Sequence, residues 1–278
     1  MPAGQWIPTN LAVTEQILEL LHQGEISVEG RLIEASNATF YGRVRAGGRE
    51  RADDSIECIY KPIRGERPLW DFPDGSLAGR EVAAHAVSRA SGWDIVPPTV
   101  MRDGPFGPGM CQAWIDIDDC ELVDVVPYSS TPDGFLHILD AEDRRGQVVS
   151  LVHADRVDLQ RMALFDIIVN NADRKGGHVL STPSHVYGVD HGVCFHVERK
   201  LRTVLWGWAG QAIADTMVDE LEALREQLTA GPLQAELADL IRLDEITASV
   251  RRLERLLRNR AFPAPPSGGW PAIPWPAM

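Results

Sequence analysis

The stretch from Asp166 to Gly192, DIIVNNADRKGGHVLSTPSHVYGVDHG, constrains the chain most, because it sets charged groups between apolar segments in a way that core packing alone does not require. Asp173-Arg174-Lys175-Gly176-Gly177-His178 gathers an acid, two cations and a candidate metal ligand in one short turn, and its two glycines let the backbone approach a ligand closely. Val179-Leu180 and Val186-Tyr187-Gly188-Val189 are predicted as two short strands around the turn Ser181-Thr182-Pro183-Ser184. The second strand delivers Asp190, followed by His191-Gly192. Two carboxylates brought together by a hairpin suit phosphoryl transfer: one takes the proton of an attacking hydroxyl, and the other holds a metal that bridges nucleotide phosphates.

With 278 residues the chain can bury a full core, as one two-lobed unit or as two modest domains. Its net charge of -13 argues against general binding to nucleic acid or to an anionic membrane, which the bulk field repels. Cys58, Cys111, Cys120 and Cys194 have no metal-type spacing and lie in or beside apolar segments, so buried free thiols in a reducing cytosol are expected. No charged lead followed by an apolar run opens the chain, and no apolar segment is long enough to span a bilayer; a cytoplasmic location is the expectation.

Leu11 to Leu21 carries apolar residues at helical spacing after a cap at Asn10, ending at Gly24. Strands are predicted from Ile26 and from Thr39 to Val44, joined at Ser36-Asn37-Ala38-Thr39, a turn that either covers phosphates with its amides and hydroxyls or is simply a turn. Ser55 to Pro62 is a further strand bearing Lys61, which either snorkels at the strand end or binds nucleotide phosphates and pairs with a helix glutamate. Glu81, in the helical segment Leu77 to Ala90, is that glutamate or else a solvated acid near a helix start. Trp93 to Met101 and Met110 to Ile117 are predicted strands. The connector after them, including Trp114, Ile115 and Asp116, offers backbone groups and apolar side chains to an adenine, unless Trp114 is ordinary core.

Glu121 to Gln147 is expected to be mixed loop with a short helical piece, and Asp155 to Asn170 a buried helix. Asn170 and Asn171 are expected to tie down the following turn through hydrogen bonds to the backbone. Arg199, Lys200 and Arg202, followed by Trp206 and Trp208, either bind an anionic substrate or headgroup or form a charged face beside packing aromatics. Three helical patterns follow from Ala212, and a Pro/Trp-rich tail from Phe262 is expected to lie extended on the surface.

These motifs resemble the phosphatidylinositol 3-/4-kinase-like kinases, most closely the type II phosphatidylinositol 4-kinase branch and the related HipA-type kinases. Ile59-Tyr60-Lys61-Pro62, Arg80-Glu81-Val82-Ala83-Ala84 and Gly92 to Thr99 look like that family's lysine strand, helix glutamate and next strand. Asn171-Ala172-Asp173-Arg174 resembles its catalytic loop, and Val189-Asp190-His191-Gly192 its metal-binding segment. A group of actinobacterial proteins shares the likeness, which runs from about residue 30 to about residue 210.

The resemblance implies a bilobed α+β, protein-kinase-like fold with a small antiparallel-sheet N-lobe, a mostly helical C-lobe, and ATP with Mg2+ or Mn2+ between them. The expected division is an N-terminal helix over 1–25, an N-lobe over 26–118, a C-lobe over 119–260 and a tail over 261–278. Carried over, Lys61 contacts phosphates, Glu81 orients Lys61, Asp173 and Arg174 belong to the catalytic loop, and Asp190 chelates metal. His178 stands where the family has a metal-binding Asn, a poorer partner for magnesium, so it favours manganese, weakens one metal site, or marks a nucleotide-binding scaffold with little turnover. The acceptor hydroxyl belongs to a protein Ser/Thr, a lipid headgroup or a small alcohol, and transfer of AMP stays open alongside kinase chemistry.

Overall fold

Alternating apolar residues between Glu25 and Ala113 build a five-stranded antiparallel sheet. The computed structural model describes residues 11–33, 37–47, 55–73, 75–266 and 271–278. The strands are β1 (Glu25–Leu32), β2 (Thr39–Arg45), β3 (Ser55–Pro62), β4 (Thr99–Gly104) and β5 (Gly107–Ala113), in spatial order β1-β2-β3-β5-β4. Val44, Cys58, Val100, Cys111 and Ala113 line one face of this sheet, and helix α1 (Leu11–Gln23) covers them with Ile17, Leu18, Leu20 and Leu21. Gly24 ends α1 because a Cβ there would stand 2.5 Å from Val44 Cγ1 and 2.7 Å from the Arg45 carbonyl oxygen. Arg102 of β4 then donates to the free carbonyls of Leu21 and Gly24, at 2.5 and 2.8 Å. The expected Asn10 cap lies outside the described residues.

Helix α2 (Leu77–Ser91) connects this sheet to the larger core. Its small residues Ala83, Ala84, Ala86 and Val87 bury themselves beside Trp93, Ile95 and Val96 in a cluster that extends to Phe262. The Glu66 carboxylate accepts from the Leu77 and Ala78 amides at 3.1 and 2.8 Å, so the start of α2 already has its anion.

Three expectations need correcting. Trp93 to Pro98 is not strand: Asp94 takes φ 50°, Pro97 and Pro98 remove two donors, and only Thr99 onward pairs with β5. Strand β5 starts at Gly107 and stops at Ala113, leaving Trp114 to Ile117 as connector. The stretch Glu121 to Gln147, expected as loop with a helical piece, contributes β6 (Val123–Pro127) and β7 (Phe135–Glu142). Both flank β8 (Val148–Ala154) in an antiparallel sheet, so the C-terminal half is not purely helical.

Behind that sheet run α3 (Val157–Val169), α4 (Asp215–Ala230), α5 (Pro232–Ala238) and α6 (Leu243–Asn259), with the hairpin β9 (Val179–Ser181) and β10 (Val186–Gly188) after α3. Leu159, Met162, Leu164, Phe165 and Ile168 of α3 pack with Leu221, Leu224, Leu253 and Leu256 of α4 and α6. The arrangement is bilobed α+β. Among the described residues, no helix is long and apolar enough to cross a membrane.

One buried ion pair fastens α2 to the second half. Arg80 is 1% exposed and donates to Glu245 Oε1 and to the Cys194 carbonyl, both at 2.5 Å, with its guanidinium over the Phe72 ring. Glu245 also accepts from the Arg242 amide that opens α6. Replacing Glu245 leaves a guanidinium unpaired in the core, so Glu245→Ala should cost about 3–5 kcal/mol, read as a lower urea midpoint at unchanged slope. The double variant Arg80→Met/Glu245→Met should recover most of that loss. Equal losses in the single and double variants would mean that stranding the charge is not the cause.

Candidate active site

Strand β3 delivers Lys61, α2 delivers Glu81, and the residue two beyond β10 is Asp190. The Lys61 ammonium stands 2.6 Å from Glu81 Oε1 and 2.8 Å from Asp190 Oδ1. Glu81 Oε2 accepts from the His191 amide at 2.8 Å, so one carboxylate holds both the lysine and the segment that carries Asp190. Burial pulls the Lys61 ammonium toward neutrality, but Asp190 and Glu81 outweigh it and raise its pKa well above the ordinary value. Burial pushes the Glu81 carboxyl up against the opposing pull of Lys61. Lys61 holds the Asp190 carboxyl well below the usual carboxylate range. Asp190 adopts φ 62°, a left-handed conformation that Asp tolerates better than most residues.

The loop with Asp173 is fixed by a buried pair. Asp166 of α3 and Arg174 are both fully buried, and Arg174 donates to Asp166 through Nε at 3.0 Å and Nη2 at 2.9 Å. Arg174 also donates from Nη1 to the carbonyls of His178 and Val189, and its Nη2 contacts His191 Nε2 at 2.6 Å. Burial and Arg174 hold His191 well below its ordinary pKa, so this nitrogen accepts. Arg174 was expected among the catalytic residues. The structure corrects that: its donors are used inside the protein, and it positions the loop without lining the cleft. Gly188 leaves room for it, since a Cβ there would sit 3.0 Å from Arg174 Nη2.

Asn170 and Asn171 take the structural roles their position foretells. Asn170, at φ 54°, donates to the carbonyls of His196 and Glu198; Asn171 donates to Asp166 and accepts from the Asp173 amide. The tail continues the support, as the Gly176 amide donates to Ala277 and the Thr203 amide to Ala272. The Asp173 carboxylate itself stays partly exposed, 3.0 Å from the Lys175 ammonium.

Two adjoining cavities meet at Lys61, Asn37 and Asp190. One, of about 330 Å3, is a mainly apolar slot walled by Leu32, Ile59, Ala113, Trp114, Ile115, Ile117, Leu180 and Val189, with Thr39 and Gln112 at its polar points. The other, of about 250 Å3, brings Asp173, Glu81, Glu66 and Arg67 to the same lysine and aspartate. A slot for a flat apolar ring thus opens into a charged bay that holds both expected carboxylates.

Of the expected phosphate turn, Asn37 and Thr39 line the slot and Ser36 lies outside the described residues. Ala38 does not line it, because its amide is committed to the Gly65 carbonyl at 3.0 Å. Asp116 also stays out of the slot, its Oδ1 accepting from Trp114 Nε1 at 3.2 Å. Sequence reasoning missed Arg67, Gln112 and the loop-fixing Asp166. An acid inside the apolar run LFDIIV was the available signal for Asp166; nothing local marks Arg67.

His178 lies beside Asp190, its Nε2 at 3.6 Å from Oδ2. Burial lowers its pKa, so the ring is neutral, and its buried Nδ1 has no hydrogen-bond partner. Among the described residues no group of three or more His, Cys, Asp and Glu is arranged around a metal, so this pair would need oxygens from a ligand to complete a cation's shell. Of the two readings of the cations and tryptophans that follow Glu198, the packing of the aromatics is the one the structure bears out. Trp206 and Trp208 are core, and Lys200 is buried against Asp71 at 3.1 Å. Cys58, Cys111 and Cys194 are buried free thiols as expected, whereas Cys120 is exposed.

No protein-family model matches the chain. The Mycobacterium tuberculosis protein Rv2133c is 49% identical over 270 residues, covering 93% of this chain and 94% of the relative. Among solved structures, hydra Fam20 with sugar superposes at a TM-score of 0.51 over 90% of this chain and 89% of its own, with 13% identity, a likeness of fold alone. The Helicobacter pylori proinflammatory kinase CtkA overlaps at a TM-score of 0.46, with 9% identity, over 87% of this chain and 94% of its own. The fold is bilobed α+β, with the two lobes described above, and is like that of the Fam20 structure.

The cleft's electrostatics give a pH signature. Because the folded-state pKa of Asp190 is depressed, its contribution to stability is fully present above about pH 4 and is lost as pH falls through the lower folded value. The stability gap between wild type and Asp190→Asn, measured by urea unfolding, should hold constant from about pH 7 to about pH 4 and narrow from there toward about pH 2. A gap that stays constant down to about pH 2 would show that Lys61 does not hold this carboxylate.

Proposed function

The chain belongs to the family of the Mycobacterium tuberculosis protein Rv2133c, and from its charged cleft we propose that it is an ATP-dependent phosphotransferase acting on a hydroxyl acceptor. One observation carries the reading: a lysine clasped by a helix glutamate and by Asp190, in a bay shared with Asp173 and open to an apolar slot. In this reading adenine fills the slot against Trp114 and Ile115, with hydrogen bonds to the connector backbone. Among the described residues none bonds the Ile115 amide, which leaves it free for such an edge. Lys61 turns its ammonium to the phosphates while Glu81 keeps it aligned.

Asp190 and His178 fit a divalent cation as a carboxylate and imidazole pair completed by phosphate oxygens. Such a cation, when bound, neutralises charge on the bridging phosphate oxygens. Asp173 accepts the acceptor hydroxyl's proton as the new oxygen–phosphorus bond forms and the bond to the leaving diphosphate breaks, ADP keeping the electron pair. With Trp206, Trp208 and Lys200 turned inward, the lipid-headgroup reading loses its main support, and a soluble acceptor, protein or small alcohol, is favoured. The buried thiols support a cytoplasmic setting.

A second reading is a nucleotide-binding protein with little turnover. It is favoured by the Lys61 contact on Asp190, which neutralises the carboxylate meant for the cation, and by His178.

Melting curves with an ATP analogue, run separately with magnesium and manganese, address nucleotide binding. A metal-dependent rise that Lys61→Ala removes is the expected result; no rise with either metal would sink both readings. Asp173→Asn should keep that rise and lower ATP turnover by about 100-fold or more. Wild-type turnover in Asp173→Asn would remove Asp173 as the base. His178→Asn separates the two readings: raised turnover with magnesium marks a handicapped enzyme, and none in either protein marks the scaffold.

A further inference from the structure

Away from the cleft, α6, the chain just after it and the segment 197–201 enclose a groove of about 430 Å3. Its floor is apolar, with Ile167, Leu201, Leu256 and Pro263. Four arginines stand on its walls: Arg251, Arg252 and Arg255 from α6, and Arg199 from the facing segment.

No acidic residue lines the groove among the described residues. The chain has 40 acidic and 27 basic residues, and elsewhere Arg43, Arg80, Arg89, Arg156, Arg161, Arg174 and Arg242 each sit within 3.0 Å of a carboxylate. Among the described residues, Arg199, Arg251 and Arg255 have no ion pair, and all three are exposed. Arg251 and Arg255 lie one helical turn apart, a like-charge spacing that destabilises a helix unless something offsets it. Arg252, between them, is half-buried and meets only neutral acceptors, the carbonyls of Ile168, His196 and Val197 and the Ser249 hydroxyl. The acid that bears on it, Glu245, is committed to Arg80. Burial, and after it the neighbouring Arg255, lower the Arg252 pKa to about 10.

We infer that this groove is a binding site for a small phosphate ester with an apolar body, held by the forks of Arg199, Arg251 and Arg255 over the apolar floor. The volume is that of a small-molecule pocket. A bilayer or a nucleic acid would present negative charge to the acidic surface as a whole, at net -13, whereas a compact ester meets only the guanidiniums. The site also bears on the cleft. Arg252 and Asn170 both grip the carbonyl of His196, and the same segment ends at Arg202, which exchanges backbone hydrogen bonds with Asn171 and Arg174 at 2.9 and 3.0 Å.

The test is calorimetric titration of the full chain with phenyl phosphate, and with benzoate as a singly charged comparison. Phenyl phosphate should bind wild type and Lys61→Ala alike, at least about tenfold more tightly than benzoate, and at least about tenfold more weakly to Arg251→Gln/Arg255→Gln. Should that double variant lose its melting transition, Arg199→Gln on the opposite wall must give the same weakening. Loss of binding in Lys61→Ala but not in the arginine variants would assign the ester to the cleft and overturn the proposal. So would equal affinity for benzoate, or no heat at millimolar ester. Vesicles of phosphatidylcholine and phosphatidylserine that bind through these arginines, with no binding of the free ester, would overturn it in favour of a membrane surface.

Discussion

The candidate site depends on a charge pair that no solvent reaches. Asp166 and Arg174 are each fully buried, and taking two such charges out of water costs several kcal/mol per ion unless nearly every donor and lone pair finds a partner. Here they nearly all do. The carboxylate also accepts from Asn171 and Thr203, and the guanidinium reaches the carbonyls of His178 and Val189 and the His191 ring. Helix α3, the Asp173 loop, the β9–β10 hairpin and the Asp190 segment are therefore joined through one planar group. A lysine would make a single-point contact in its place and could not reach all four.

Helix α2 carries the second constraint through two adjacent residues. Glu81 faces the cleft and holds Lys61 with the His191 amide, while Arg80 turns toward α6 and is locked to Glu245 and the Cys194 carbonyl. Because the two side chains leave one turn of helix in different directions, α2 cannot shift toward the cleft without straining the α6 contact. The sheet supplies Lys61, but the larger core decides where that lysine finds its partner.

How far the sequence could foretell this follows from what local pattern encodes. Helices α1, α2 and α3 were legible because apolar residues recur at helical spacing, and α2 also ends at a glycine with φ 70°. The hairpin was legible from its turn residues, and the family resemblance carried by Lys61, Glu81, Asp173 and Asp190 anticipated that they line one cavity. Strands β6 and β7 were not, since Asp, Pro and exposed residues interrupt their alternation and β8 between them makes the sheet. Trp93 to Pro98 read as a strand from its apolar residues, although they are buried by an irregular path through Asp94. Arg174 stood in the right loop, but residue type does not say which way a side chain turns. Its partner Asp166, eight residues earlier on α3, decides that.

The charges of the cleft also bear on what it can accept. Glu66 is committed to the start of α2, Lys61 is shared between Glu81 and Asp190, and Lys175 is drawn to Asp173. Arg67 is then the main cation of the bay not claimed by a carboxylate among the described residues. A bare polyphosphate entering there would face Asp173 and Asp190 with too little positive charge to offset them. Under the proposed function, the same anion with a divalent cation would bring the missing charge, with Asp190 and His178 holding the cation and Lys61 turned to the phosphates. In the proposed reaction, the lysine contact on Asp190 is therefore the resting arrangement that a nucleotide and its cation must displace together.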